Sequence, residues 1–324
     1  PNAVRLCVGA GGEDNIAKAA AYLKEYEDAL YARQRAGEAK AELAFLKALV
    51  ARAKGDSYTV IESLQPLVST GTAAPEFLRL LAEAFARTDQ TRRAVDAMRR
   101  YLADRPRDLG VVVQLTRNYL RLQDWTGAFE TAQQGGRFYP DDVDLNVLRI
   151  EAGTHIAVQQ QGSPDLARLR ELEAELAGLR KDEKNARRID IRVLQAVIGN
   201  YLAQSETDAA AREQKLAEVE QQLRLAMEEC DSPLPAAMQL VRLYSQQKQT
   251  DKALQEGRAV CTRHAELAEP WLALAGLHVA AGDPNAAIRC LDEAAQSVAG
   301  EPAKRSIAIR RALLELTRGN RAGG

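Results

Sequence analysis

The stretch WLALAGLHVAAGDPNAAIRCLDEA, Trp271–Ala294, decides how the rest of the chain is read. Its first half places Trp271, Leu274, Ala275 and His278 at i, i+3, i+4 and i+7, which is one face of a helix. A Gly282-Asp283-Pro284 break follows, then a second stripe of Ala287, Leu291 and Ala294. Glycine ends a helix readily, Asp caps the next one, and proline at a first helical position lacks only an N–H that would have no intrahelical partner there. The stretch therefore predicts two short amphipathic helices joined by a tight turn. A hairpin of that size cannot bury both of its apolar faces alone, so it needs neighbours.

Sliding the stretch back by 34 residues finds one: MQLVRLYSQQKQTDKALQEGRAV, with Tyr244 and Ala253 in the places of His278 and Ala287. Further upstream, FLRLLAEAFARTDQTRRAVDAMRRYLADRP is followed by VVVQLTRNYLRLQDWTGAFETAQQGGRFYP, where Phe85 matches Tyr119, Ala94 matches Ala128 and Pro106 matches Pro140. A looser copy, AFLKALVARAKGDSYTVIESLQPLV, has Gly55-Asp56 where Gly282-Asp283 stand. The units are 41–74, 75–108, 109–142, 234–267 and 268–301. A 34-residue period with two amphipathic helices per unit resembles the tetratricopeptide repeat family. Unit 75–108 offers the family's pattern in Leu78, Leu81, Ala82, Phe85, Ala94, Met98, Tyr101 and Pro106, while unit 41–74 departs from it with Lys47 where Leu is usual. The resemblance implies an all-α fold, a right-handed α-solenoid of stacked helix-turn-helix repeats, in which each hairpin is completed by the next.

The 91 residues at 143–233 exceed two such units and read as two irregular helical hairpins. Their stripes are Leu145, Leu148 and Ala152; Leu166, Leu169, Leu172, Leu176 and Leu179; Ile191, Leu194, Ile198 and Tyr201; and Leu216, Val219, Leu223 and Ala226. AREQKLAEVEQQLRLAMEEC reads as a lengthened second helix rather than a coiled coil, because its stripe spans too few heptads. Residues 1–40 are expected to hold a loop-like segment, PNAVRLCVGAGGED, and a capping helix over 14–36 with Ile16, Ala19, Leu23, Tyr26 and Leu30. Residues 302–324 are expected to close the array with a helix over 302–318, its stripe being Ile307, Ile309, Leu313 and Leu316. Arg310, Arg311 and Arg318 would face solvent, and RGNRAGG would fray. The chain starts at Pro1 rather than Met and so reads as excised or processed, which leaves a cytoplasmic and a periplasmic setting both open.

A net charge of −1 argues against a general nucleic-acid binder, and no apolar run reaches the length of a membrane span. Cys7, Cys230, Cys261 and Cys290 show no C-x-x-C spacing and read as free, mostly buried thiols. His155, His264 and His278 are isolated, and GAGG at 9–12 follows no strand. The expectation is therefore no catalytic residue, no cofactor and no metal, and a chain that is not an enzyme. Its partner would be another protein or a peptide. By the resemblance, positions 2, 5, 9, 12 and 13 of each first helix line a concave groove. In 41–142 these positions include Arg52, Arg79, Arg87, Arg117 and Arg121, which suit an acidic segment, with Arg87 and Arg121 as a ladder. In 234–301 they include Met238, Arg242, Ser245, Gln246, Glu269, Leu272, Gly276, Val279 and Ala280, a more apolar set. The clamp by which some family members hold chaperone carboxylates is not matched, since Arg79 and Val113 occupy position 5 and Glu83 and Arg117 position 9. The reading is a protein–protein interaction scaffold. The alternatives are a structural subunit of a bacterial export or envelope-assembly machine, or a regulatory segment of a larger enzyme.

Overall fold

The computed structural model describes residues 1–32, 37, 39–69, 74–159 and 163–322, and among these there are eighteen helices and no strand. They divide into two compact units, 1–156 and 157–324, with the division falling inside one helix. The first unit contains α1 (Asn2–Ala10), α2 (Glu13–Ala32), α3 (Lys40–Ala53), α4 (Ser57–Ser69), α5 (Pro75–Arg87), α6 (Thr91–Asp104), α7 (Leu109–Arg121), α8 (Trp125–Gly136) and most of α9 (Val143–Val158). The second contains α10 (Leu166–Arg180), α11 (Glu183–Ala186), α12 (Ile189–Gln204), α13 (Ala209–Glu229), α14 (Leu234–Gln246), α15 (Thr250–Arg263), α16 (Ala268–Ala280), α17 (Pro284–Ser297) and α18 (Glu301–Ala322).

Five hairpins close with the same backbone device. Gly55, Asp89, Gln123, Lys248 and Gly282 all have positive φ, between 58° and 82°. In each case the N–H of the following residue donates to the carbonyl five residues back: Asp56 to Ala51, Gln90 to Phe85, Asp124 to Tyr119, Gln249 to Tyr244 and Asp283 to His278, all at 2.9 Å. This is the Schellman closure, which satisfies carbonyls that the helix end leaves open. The next helix then starts at once. Asp56, Asp124 and Asp283 accept from the backbone N–H three residues on, at 3.0, 2.9 and 2.8 Å. Gln90 and Gln249 stand at the same point without such a cap.

Small residues let the two helices of a hairpin meet. Ala94, Ala128, Ala253 and Ala287 are at most 1% exposed, so no larger side chain has room there. A Cβ on Gly135 would fall 2.6 Å from Val112 and 2.9 Å from Leu145, and one on Gly257 would fall 3.2 Å from Leu274. Large residues then join one hairpin to the next. In the first unit one core runs from Ala48 on α3 through Leu81, Phe85 and Met98 to Leu115 on α7. In the second, Cys261, Trp271, Leu274, Leu291 and Ile307 form a comparable core, and the Trp271 indole N–H donates to the Ala265 carbonyl at 3.0 Å. Each fully buried Leu or Ile contributes on the order of 2 kcal/mol.

The stretch before α14 departs from the 34-residue spacing. Asp165 caps α10 by accepting from the Arg168 N–H at 3.0 Å, directly after Pro164. The four-residue α11 is too short to show any periodicity, and is held by buried Asn185, whose side chain donates to the Leu179 carbonyl at 3.0 Å. Helix α13 extends over 21 residues and buries only Val219, Leu223 and Ala226.

Three expectations about the ends are corrected. The N-terminal stretch is a helix, not a loop: α1 buries Val4 against Ala19, Leu23, Leu43 and Leu46. Gly11 and Gly12 turn the chain into α2, which ends at Ala32; residues 33–36 lie outside the described residues. At the other end, α18 buries Ile307 and Leu314, whereas Ile309, Leu313 and Leu316 are at least 50% exposed. Apolar residues outnumber one face of this helix, and the packing selects the i, i+7 pair that meets α16 and α17. Residues 318–322 continue α18 instead of fraying, while the Arg318 side chain and residues 323–324 lie outside what is described.

Three substitutions test this architecture. A non-glycine residue in the left-handed region carries roughly 1 kcal/mol of strain, so Gln123→Gly and Lys248→Gly are each expected to stabilise the protein by about 0.5–1 kcal/mol in urea unfolding. Ala287→Glu places a carboxylate at a fully buried helix contact. It is expected to destabilise by at least about 3 kcal/mol, and an unchanged melting temperature would show that the contact is not there.

Candidate functional site

A groove in the second unit lies between first helices of successive hairpins. It has a volume of about 730 Å³ and is lined from α14 by Met238, Val241, Arg242, Ser245 and Gln246, from α16 by Glu269, Leu272, Ala273, Gly276, Leu277 and Ala280, and from α18 by Ser306. That volume is in the range of sites that hold a small ligand or a short segment of chain. The helical period explains the lining. Met238, Arg242 and Ser245 are one face of α14, and Glu269, Leu272 and Gly276 one face of α16, while the opposite faces enter the core.

Helix α14 is pinned from behind. The Tyr244 hydroxyl donates to Glu220 on α13 at 2.7 Å and accepts from Arg224 at 2.8 Å. Arg224 also reaches Glu256 on α15 at 3.3 Å. Burial, reinforced by the Glu220 carboxylate, pushes the Tyr244 phenol up to about 12. At the groove's edge, buried Asn200 on α12 donates to Gln246 at 2.7 Å and accepts from Gln204 at 3.0 Å. Inside the groove, Arg242 and Glu269 are exposed, and neither has an ion pair or side-chain hydrogen bond among the described residues.

The residues picked from sequence divide into two sets. Met238, Arg242 and Leu272 come together in this groove. Val279, expected beside them, does not line it and is 38% exposed. Ser306 lines it as well, 34 residues after Leu272, which itself stands 34 after Met238, so the repeat spacing reaches α18 at this position although the units drawn from sequence stop at 301.

The arginines of the first unit are engaged with the chain's own carboxylates. Arg52 Nε lies 2.7 Å from Glu83, and Arg79 Nε lies 3.8 Å from the same carboxylate. The nearer Glu83 oxygen is buried and has no well-directed hydrogen bond, while the other accepts from Arg52 Nη2 at 3.3 Å. Arg117 meets Asp144 at 3.5 Å, and Arg121 meets Asp89 at 3.2 Å. Arg87 is exposed and stands outside these pairs. Arg87 and Arg121 therefore do not act as two equal rungs: one is free and the other reaches back to the preceding turn.

The titratable groups elsewhere serve packing. Burial pushes the Cys261 thiol up to about 12 and the Cys290 thiol up to about 11, so both stay protonated and unreactive at neutral pH. The four cysteines are free thiols. Among the described residues no group of three or more His, Cys, Asp or Glu side chains could hold a metal ion, and no helix is long and apolar enough to cross a membrane.

No protein-family model matches the sequence, and no curated protein matches it. Solved structures do match the fold, at low identity. A tetratricopeptide repeat protein from Parabacteroides merdae aligns over 85% of this chain and 99% of its own, with a TM-score of 0.60 and 13% identity. A thermophilic protein of the same repeat class from Thermus thermophilus aligns over 75% of this chain and 100% of its own, with a TM-score of 0.40 and 16% identity. The class defined by these helices is an α-solenoid of stacked hairpins. Its fold is that of the tetratricopeptide repeat proteins.

One titratable group in the first unit makes a pH prediction. His155 on α9 stacks on Trp125 of α8, with ring centroids 3.9 Å apart and planes 12° apart, and burial holds its imidazole below the ordinary range. A depressed folded value means that its contribution to stability is complete above the unfolded value of about 6.5 and is lost as pH falls through the folded value. Melting temperature should therefore fall on acidification from neutral pH, and His155→Phe, which keeps the stacked ring, should reduce that fall.

Proposed function

We propose that this chain is a protein-interaction scaffold and that the groove between α14, α16 and α18 holds a segment of another protein. The observation that carries the reading is the groove itself: about 730 Å³, lined by half-buried Leu272 and Leu277 over buried Met238 and Val241, with charges left unpaired beside them. An apolar lining broken by a few polar groups fixes an occupant by burial and orients it by charge. It favours a polypeptide over a nucleic acid, whose backbone would call for a run of cations, and Arg242 is the one cation lining this groove. It favours binding over catalysis, since the lining places no activated nucleophile beside a base. An acidic partner on Arg52, Arg79, Arg117 and Arg121 of the first unit is less well supported. It would have to displace Glu83, Asp144 and Asp89, although exposed pairs of this kind are each worth only about 0–1 kcal/mol and can be exchanged.

Site-specific photocrosslinking in cells of the source organism tests the groove. A photoreactive residue replacing Ser245, in the groove, is expected to give a defined protein adduct. The same residue replacing Arg289, exposed on α17, is expected to give none. Equal adducts from both positions, or none from Ser245, would count against this reading.

A further inference from the structure

The groove also carries a charge pattern and a gap that no packing need explains. Gly276 lies inside α16, where glycine is less favourable than alanine by about 1 kcal/mol. At Gly127, Gly135 and Gly257 a neighbour demands the missing Cβ, at 2.8, 2.6 and 3.2 Å. At Gly276 an added Cβ would meet nothing within 4 Å, so the protein's own interior does not require glycine there. Gly9 in α1, Gly136 in α8 and Gly178 in α10 are equally open but do not line this groove. What Gly276 leaves open is the floor of the groove.

Arg242 and Gly276 are 34 residues apart and hold equivalent places on α14 and α16, so the arginine stands level with the gap. Glu269 is seven residues nearer the start of α16, or about 10 Å along its axis at 1.5 Å per residue. The groove thus has a positive pole and a negative pole, neither neutralised by the chain itself, with Met238, Leu272 and Leu277 among its apolar lining.

Building on the binding role proposed for this groove, we infer that its occupant is an extended, apolar segment bearing one acidic and one basic side chain. The carboxylate pairs with Arg242 and the cation with Glu269, while the segment's main chain passes over Gly276. An extended chain advances about 3.3 Å per residue, so the two charges should be about three residues apart. The poles set which way the segment lies, because reversing it would put like charges together.

The probe is a bead-bound library of acetylated hexapeptide amides built from Ala, Leu, Val, Asp and Lys. The wild-type chain is expected to enrich peptides with one Asp and one Lys three positions apart. On fluorescence anisotropy, Arg242→Glu and Glu269→Lys should each bind the best peptide about tenfold or more weakly, the size of one charge-assisted contact. The double variant should instead prefer the peptide with Asp and Lys exchanged. Gly276→Leu should lose all binding while melting no lower than wild type. Enriched peptides without the charge pair, or single variants that bind like wild type, would overturn the inference and leave the groove standing as a site. A wild-type chain that enriches nothing, or a Gly276→Leu chain that binds normally, would remove the groove reading and this inference with it.

Discussion

The way each hairpin closes controls everything stacked upon it. A helix end leaves carbonyls without partners, and the chain must satisfy them while reversing direction within two residues. The positive-φ residue does both at Gly55, Asp89, Gln123, Lys248 and Gly282, through the same 2.9 Å hydrogen bond in every case. Because the turn geometry is repeated, the buried residue early in each second helix recurs at the same place, Val60 in α4 and alanine at 94, 128, 253 and 287, and the apolar edge of one hairpin can match the next. Three of the five closures use a residue that is strained there. The strain is small beside burial of two or three leucine-sized side chains per hairpin, at on the order of 2 kcal/mol each. The repeat therefore tolerates Asp, Gln or Lys at a place that local preference would give to glycine.

That tolerance shapes what the sequence reveals. The apolar spacing of 34 residues is legible because packing enforces it: Phe85 and Tyr119, or Ala253 and Ala287, cannot change size without disturbing a neighbour. The turn is legible only where it is written as Gly-Asp, at 55–56 and 282–283. The ends and the middle are harder for physical reasons. Residues 2–10 carry one glycine and a thin stripe, and their helix is held mainly by Val4 against α2 and α3, a tertiary contact that no local pattern announces. In α18, five large aliphatic side chains compete for one core-facing stripe, and Ile307 and Leu314 occupy it because of what α16 and α17 present. The groove was partly legible for the opposite reason. Met238, Arg242 and Leu272 stand out as positions that the repeat leaves unconstrained, and Ser306 continues the 34-residue series of Met238 and Leu272 into the last helix, past the last unit that the apolar pattern marks.

Charge separates the two units more than composition suggests. Both carry arginine on their first helices. In the first unit, Glu83, Asp89 and Asp144 stand within reach of these arginines, and the ion pairs tie neighbouring hairpins together: α3 to α5, and α7 to the turn after α5. Such pairs are screened and weak, but they reduce the field an approaching acidic partner would meet. In the second unit the pairing happens behind the groove, where Glu220, Arg224, Tyr244 and Glu256 join α13, α14 and α15. The front is left with Arg242 and Glu269 unspent. The same residue types thus hold hairpins together in one unit and remain available to a partner in the other.

Glycine gives the sharpest distinction between what the fold needs and what it leaves open. Where a neighbour's side chain stands 2.6–3.2 Å from the missing Cβ, as at Gly135 and Gly257, the residue is explained by helix approach, and a substitution requires that side chain to shift. At Gly55 and Gly282 it is explained by backbone conformation, with no neighbour nearby. Gly276 satisfies neither condition: it is helical, unstrained and uncrowded. A helix-interior glycine is a destabilising choice; Gly9, Gly136 and Gly178 are as open as Gly276, and what sets Gly276 apart is that it lines the groove, where an approach from outside the chain would meet no Cβ. The groove floor at Gly276, flanked by an unpaired arginine and open to solvent, is where that approach would be closest.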